Sequence, residues 1–168
     1  MKTWNRLMIA SLLLVAPCFG QSIYKETVIS EPSVPNLVLQ AFRAAHPIEQ
    51  ARTYLKVETD GALFYKIEVR ERAGQHYFSY SPSGELRKTE EVITADELPA
   101  ILRQSIQEKY PNSVISWAEK TIQDDHVSYR ANAKKDDKLF TVESDAEGKL
   151  TSAHEVKVNM VFVRMPPQ

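Results

Sequence analysis

The sequence matches itself when it is shifted by 64 positions, without a gap. The identical residues lie at predicted helix starts, helix ends and turns, where a fold needs a particular residue type. They are Pro35 and Pro99, Gln40 and Gln104, Pro47 and Pro111, Lys56 and Lys120, Asp60 and Asp124, Tyr65 and Tyr129, Gly84 and Gly148, Leu86 and Leu150, Glu91 and Glu155, and Val92 and Val156. We therefore predict an internal duplication in which each copy forms the same structural unit.

Each copy opens with a predicted helix. Apolar residues between Val34 and Ala45 recur at helical spacing, and those between Leu98 and Ile106 do the same in the second copy. A proline stands in the first predicted turn of each helix, where its missing N–H costs nothing. The first helix is predicted to end before Pro47, because the residue before a proline avoids helical backbone angles.

Four meandering strands are predicted after each helix. Residues 63–70 alternate between two sets of side chains, a period of two that indicates a half-buried antiparallel strand. Asp60 and Gly61 form a hairpin signal, and Gly84 and Gly148 close four-residue turns. We predict an α+β fold in which two tandem helix-plus-four-strand repeats form one antiparallel sheet with both helices on one face.

The predicted organisation divides the chain into five segments. They are a signal peptide (1–20), an N-terminal segment (21–32), repeat 1 (33–93), repeat 2 (94–158) and a C-terminal strand or tail (159–168). The apolar stretch Val158–Arg164 leaves two roles open, completion of the sheet edge or pairing with another chain. Its alternation favours completion of the sheet.

The first twenty residues predict a secretory signal. Lys2 and Arg6 form a positive head, an almost unbroken apolar run covers residues 7–16, and small residues precede a cleavage point after Gly20. The apolar run is too short to remain as a transmembrane anchor. We expect the mature chain to start at Gln21, to have no transmembrane span, and to be periplasmic or secreted.

Cys18 leaves a second processing route open. A bacterial lipoprotein signal also ends its apolar run at a cysteine, which then carries the lipid. Pro17 stands directly before Cys18 and is poorly suited to that processing, so lipid anchoring is the less favoured route. Since Cys18 is the chain's single cysteine, cleavage after Gly20 would leave no disulfide or thiol chemistry in the mature protein.

The charge pattern argues against nucleic acid as a partner. Removal of the signal leaves 19 basic and 22 acidic side chains, interspersed along the chain. A nucleic-acid-binding protein normally shows a basic face, and a membrane-surface protein a block of lysine and arginine. The sequence shows neither of these features, and its 43% apolar and 26% charged content is typical of a soluble globular protein.

The residues of the repeat also carry a resemblance. The second copy contains Leu98-Pro99, Tyr110-Pro111, Tyr129 and the run from Phe140 to Leu150, and these resemble the bacterial PepSY-like family, which is itself described as resembling β-lactamase-inhibitor proteins. The first copy departs from the pattern at His46, Ser81 and Glu85. The resemblance implies an exported protein whose role is binding or inhibition. Its motifs are structural, so it assigns no functional residue.

No catalytic, cofactor or metal site is predicted. The four histidines, His46, His76, His126 and His154, have no i,i+4 pair among them. The paired carboxylates lie in predicted turns and linkers, and the serines fit no nucleophile motif. We therefore predict a protein that is not an enzyme and has no cofactor.

Three aromatic residues are the candidate partner-binding residues. Phe64 and Tyr77 each lie next to an aromatic residue predicted to face the helices, so they should face outward, and Trp117 stands where the first copy has Thr53. Exposed aromatics on a sheet face are typical of protein-binding surfaces. The leading hypothesis is an exported binding module that holds an envelope protein or peptide on the open sheet face.

An alternative hypothesis is an envelope protein that binds a small ligand or a metal. The two hypotheses differ in a simple observable, because a bound ligand or metal raises the melting temperature by mass action.

Overall fold

The computed structural model of this chain describes residues 24–70 and 74–156. The predicted signal peptide, Cys18 and the stretch Val158–Arg164 lie outside the described residues. The helices and strands, in chain order, are β1 (Tyr24–Ile29), α1 (Asn36–Ala45), β2 (Ala51–Thr59), β3 (Ala62–Arg70), β4 (Gln75–Tyr80), β5 (Leu86–Ile93), α2 (Ala100–Lys109), β6 (Val114–Gln123), β7 (His126–Lys135), β8 (Lys138–Ser144) and β9 (Leu150–Glu155).

The strands form one nine-stranded sheet in the order of the sequence, and each pairs antiparallel with its neighbours. The sheet is therefore a meander, with α1 inserted between β1 and β2 and α2 between β5 and β6. The prediction of an α+β fold with a single antiparallel sheet and two helices is confirmed.

Strand β1 was not predicted. Residues 21–32 were assigned to an N-terminal segment, whereas Tyr24–Ile29 pairs with β2 along its whole length, from Tyr24 opposite Thr59 to Ile29 opposite Tyr54. The sequence of β1 is largely polar and its side chains are mostly exposed. It lacks the apolar alternation that marks a strand, so its conformation depends on pairing with β2.

Both helices pack on the same face of the sheet. Helix α1 packs in a cluster that includes Ile67 and the partly buried Phe78, and α2 in a second cluster that contacts Ile93. Phe78 pairs with Thr89 on β5, and Ile93 lies four residues further along β5. Because side chains alternate between the faces of a strand, Phe78 and Ile93 share one face. No helix of the described residues lies on the opposite face, and we call it the helix-free face.

The helix boundaries follow from the prolines. Pro35 and Pro99 directly precede the helices rather than lying inside the first turn, and their carbonyls accept the first helical bonds, from Val38 at 3.0 Å and Arg103 at 3.1 Å. Helix α1 ends at Ala45, before Pro47, as predicted.

Two glycine turns lie against the helix starts. Gly84 and Gly148 have φ angles of 85° and 86°, and both close turns with a hydrogen bond to the residue three positions earlier. A Cβ atom on Gly84 would lie 2.7 Å from the carbonyl oxygen of Leu37, and one on Gly148 would lie 2.6 Å from Cβ of Pro99. The turns therefore need glycine both for the backbone angle and for the close contact with a helix.

We expect Gly84→Ala to lower the free energy of unfolding by about 2–4 kcal/mol, because the positive φ and the overlap with Leu37 both act against the methyl group. Gly61→Ala is the matched control, since Gly61 has a φ of 81° but nothing within 4 Å of an added Cβ. It should lose only about 1–2 kcal/mol, the cost of the backbone angle. Urea denaturation followed by circular dichroism measures both, and equal losses would contradict the close contact.

Candidate functional site

The candidate site lies on the helix-free face. Along β3, Ile67 and Val69 are buried in the core on the helix side, so Phe64 and Lys66 project to the other face. The strand registers carry this face across the sheet, because Lys66 pairs with Ser79. Further along the sheet, Ser79 pairs with Lys88, which in turn pairs with Gln123.

The sheet curls toward its helix-free face. Tyr24 of β1 and Gln123 of β6 line one pocket with a volume of about 170 Å³. In a flat sheet these two strands would be about 24 Å apart, since neighbouring strands are spaced by roughly 4.8 Å. Strong curvature must therefore bring the outer strands toward each other, and it makes the helix-free face concave.

The pocket has an apolar wall and a charged floor. Its lining residues are Tyr24, Glu26, Val57, Thr59, Phe64, Lys66, Ser79, Arg87, Lys88, Glu90 and Gln123. The rings and methyl groups come from β1, β2 and β3, and most of the charged groups come from β3 and β5. This combination provides both an apolar contact and charged hydrogen bonds, as binding pockets generally do.

Glu90 is the centre of the charged floor. One of its carboxylate oxygens lies 2.9 Å from Nζ of Lys66 and the other 2.6 Å from Nζ of Lys88. Only 6% of Glu90 is exposed, although no helix within residues 24–70 and 74–156 packs on this face. Burial acts against ionisation most strongly, but the hydrogen bonds and charges of the two ammonium groups outweigh it and hold the pKa of Glu90 below its usual value.

Glu119 is a second buried carboxylate on this face, also 6% exposed, but its contacts are weaker. The hydroxyl of Thr121 donates to it at 3.4 Å, and the Arg130 guanidinium lies 4.0 Å away. Burial, followed by the negative charge of Glu90, raises the pKa of Glu119 above its usual value. The two glutamates therefore have opposite shifts, because only Glu90 is bound by two cations.

The structure places the three aromatic residues predicted to bind a partner on the helix-free face, where each is half-buried. Only two of them lie near the pocket. Phe64 lines the pocket. The ring of Tyr77 lies under Nζ of Lys66, 4.4 Å from it, and its hydroxyl accepts a hydrogen bond from Gln75 at 2.5 Å. Trp117 of β6 pairs with Asn132 of β7 and does not line the pocket. A role in binding remains a prediction for all three.

The charged residues of the pocket were not among the site residues predicted from the sequence. Lys66 sits on the same alternation as Phe64, which is the one signal that could have placed it on this face. Glu90 and Lys88 alternate along β5 in the same way, but nothing in the sequence shows that β3 and β5 converge on one carboxylate.

The histidines form no recognisable centre. Nδ1 of His46 lies 2.7 Å from a carboxylate oxygen of Glu49, and the His46 ring is tilted against that of Phe78 with 4.1 Å between the centroids. Nδ1 of His126 lies 2.8 Å from the carbonyl oxygen of Asp124. Among residues 24–70 and 74–156, no three His, Cys, Asp or Glu side chains are grouped as a metal site would require. No helix in this part of the chain is long and apolar enough to cross a membrane.

We expect Glu90→Gln to lower the free energy of unfolding by about 1–3 kcal/mol at neutral pH, because it leaves two partly buried ammonium groups without their carboxylate. Glu155→Gln is the control, since Glu155 pairs with Lys138 at 3.3 Å on the exposed surface and should cost less than about 0.5 kcal/mol. Chemical denaturation measures both variants. A loss for Glu90→Gln no larger than the control would contradict the central role of Glu90.

Glu119→Gln should have the opposite effect at neutral pH and raise the free energy of unfolding. Because the pKa of Glu119 is raised in the folded state, the free energy of unfolding falls as the pH rises through that folded-state pKa. Below the unfolded-state pKa of about 4.3, the carboxyl is protonated in both states and this loss of stability is absent. The advantage of the variant should therefore vanish on acidification to about pH 4. Denaturation curves across this pH range test it, and a variant less stable than the parent protein at pH 7 would contradict it.

The comparisons with known proteins identify the fold. No family model matches the chain, and no curated protein matches it. Among solved structures, a presumed periplasmic protein of Bacteroides eggerthii is similar with a TM-score of 0.63 and 13% identity, covering 73% of this chain and 88% of that one.

Two further structures share the fold. A DUF2874 family protein of Bacteroides uniformis has a TM-score of 0.62 and 10% identity, covering 72% of this chain and 88% of that one. A BLIP-like protein of Bacteroides fragilis has a TM-score of 0.58 and 15% identity, covering 79% and 93%. At these identities the likeness is one of fold.

Proposed function

We propose that this chain is an exported, non-enzymatic module that holds a protein or peptide partner on the helix-free face of its sheet, in the periplasm or outside the cell. The observation that carries the proposal is the pocket on that face, which combines the Phe64 ring with a buried charged floor. A concave face with half-buried aromatics and charges held in fixed geometry is suited to a complementary protein surface.

The proposal includes a tandem duplication of one helix-plus-four-strand unit, residues 33–93 and 94–158, in which β1 and β5 precede the two helices at equivalent positions. It is supported by the strand registers, because the pair Tyr24–Thr59 recurs 64 residues later as Lys88–Gln123. The irregularity in β2 between Ala51 and Thr53 also recurs in β6, between Ile115 and Trp117.

The two copies differ in polarity at several positions of the helix-free face. Thr53 of the first copy corresponds to Trp117, but at four positions an apolar residue of the first copy corresponds to a polar residue of the second. The pairs are Leu55 and Glu119, Val57 and Thr121, Phe64 and Ser128, and Tyr77 and Thr141. If this face were only exposed to solvent, both copies would be expected to carry polar residues there. The apolar residues of the first copy therefore support a role in contact with a partner.

The fold comparisons support the same proposal. One similar structure is described as BLIP-like. Another is described as presumed periplasmic, which agrees with the signal predicted at residues 1–20. The PepSY-like resemblance of the second copy points to the same exported class.

A small-ligand-binding protein is the second candidate, because the helix-free face holds a pocket with a volume of about 170 Å³. A small ligand of the envelope would then raise the melting temperature of the protein alone, in the absence of any partner. A protein partner would instead bury surface well beyond the pocket.

We expect Phe64→Ala and Tyr77→Ala each to weaken partner binding about tenfold or more, because central aromatic residues carry a large share of interface energy. The protein is used to capture its partner from the envelope fraction of its own host, and affinities are then measured with the purified partner. Trp117→Ala tests whether the contact extends along β6 beyond the pocket.

The controls are Leu37→Ala and Ile101→Ala, which remove apolar side chains that are each 56% exposed on the helices. They should leave partner binding unchanged. Circular dichroism verifies that every variant is folded. Loss of binding in the helix variants, with the sheet variants unaffected, would place the contact on the helices and overturn the proposal.

A further inference from the structure

The floor of the pocket is a row of four side chains across β3, β4, β5 and β6. Lys66, Ser79, Lys88 and Gln123 are consecutive cross-strand partners, so they lie side by side on the helix-free face. Ser79 is buried and small, and it stands between the two lysines. Its short side chain leaves the depression that the lysines flank.

The ammonium groups of Lys66 and Lys88 have more N–H donors than the neighbouring described side chains accept. An ammonium group carries three N–H donors, and Glu90 offers one oxygen to each lysine. The carboxylate of Glu26 also lies near Lys66, but its oxygen is 3.8 Å from Nζ, too far for a hydrogen bond. Within the described residues the floor therefore has N–H donors left over, and a ligand with anionic oxygens can accept them.

The lining of the pocket contains three cations, Lys66, Arg87 and Lys88, and two carboxylates, Glu26 and Glu90. The guanidinium of Arg87 is held at the rim by Glu85 at 3.2 Å and Asp124 at 3.0 Å, so the two lysines are the groups that can reach a ligand at the floor.

The apolar wall sets the size of the group that enters. Val57, Phe64 and Tyr24 line the pocket beside the lysines, and its volume is about 170 Å³. An apolar cavity of about 150 Å³ holds one benzene ring. The pocket therefore accepts one side chain rather than a length of peptide backbone.

We propose that the partner protein anchors itself here with one aromatic side chain that is directly adjacent in sequence to an aspartate or glutamate. The ring packs against Phe64 and Val57, and the carboxylate accepts hydrogen bonds from Lys66 and Lys88. This inference rests on the proposed function and adds the chemistry of the partner's contact segment.

Two matched peptides test it, acetyl-Gly-Phe-Asp-Gly-amide and acetyl-Gly-Phe-Asn-Gly-amide, titrated into the ¹⁵N-labelled protein and followed by NMR. We expect the aspartate peptide to bind at least about tenfold more tightly, since a hydrogen bond to a charged group is worth about 1.5–3 kcal/mol. The shifted amides should include those of Phe64, Ser79 and Lys88. Equal affinities of the two peptides would overturn the inference.

Variants assign the effect to the pocket. Lys88→Gln should remove the preference for aspartate over asparagine, and Lys109→Gln, which changes an exposed lysine on α2, should keep it. Ser79→Leu fills the depression and should abolish binding of both peptides without changing the charge. A preference for aspartate that survives both pocket variants would show that the carboxylate binds elsewhere.

A third ligand, N-acetyl-phenylalanine, distinguishes a partner's anchor from a free small molecule. Binding of this compound as tight as that of the aspartate peptide would overturn the inference in favour of a small-molecule site. If the purified partner depends on Phe64 but is insensitive to Lys88→Gln, the charged anchor is wrong while the proposed function stands. If the partner depends on the helices instead, the proposed function itself fails.

Discussion

Both helices pack on one face of a single antiparallel sheet, and the other properties of the molecule depend on this one-sided packing. The helix side receives the core, with Val38, Phe42, Leu102 and Ile106 buried against the strands. Strand side chains alternate, so as many residues point to the uncovered face as to the core. The sheet curls around that uncovered face, and the curl converts an open surface into a pocket between β1 and β6.

The charged floor of the pocket is better explained by binding than by stability. Glu90 is buried between Lys66 and Lys88, and taking such charges out of water costs free energy that an apolar replacement would avoid. The arrangement does fix the positions of the two ammonium groups, because both are bound to the same carboxylate. Groups held in fixed positions lose little entropy when a partner binds, and this favours recognition.

Much of the fold could be predicted from the sequence, because local signals specify it. Each of these signals involves only a few residues. They are the apolar spacing of α1, the helix end imposed by Pro47, the Asp60-Gly61 turn and the alternation along β3. Strand β1 could not be predicted, since Lys25, Glu26 and Thr27 carry no apolar pattern and their strand conformation comes from pairing with β2.

The candidate site was predictable only in part, for a related reason. The alternation that placed Phe64 and Tyr77 opposite the core is local, and the registers agree with it. The ion pair of Lys66 with Glu90 depends on strand pairing. The lining of one pocket by both Tyr24 and Gln123 depends on curvature across the whole sheet. Trp117 was selected because the first copy has Thr53 at that position, and no local pattern shows that it lies away from the pocket.

Photo-crosslinking in the host's own envelope tests whether a partner binds the helix-free face. A benzophenone amino acid replaces Phe64 in one strain and the exposed Leu37 of α1 in another, and adducts are identified by mass spectrometry. We expect one discrete protein to be cross-linked from position 64 and none from position 37. A specific adduct from position 37, with none from position 64, would contradict binding on the helix-free face.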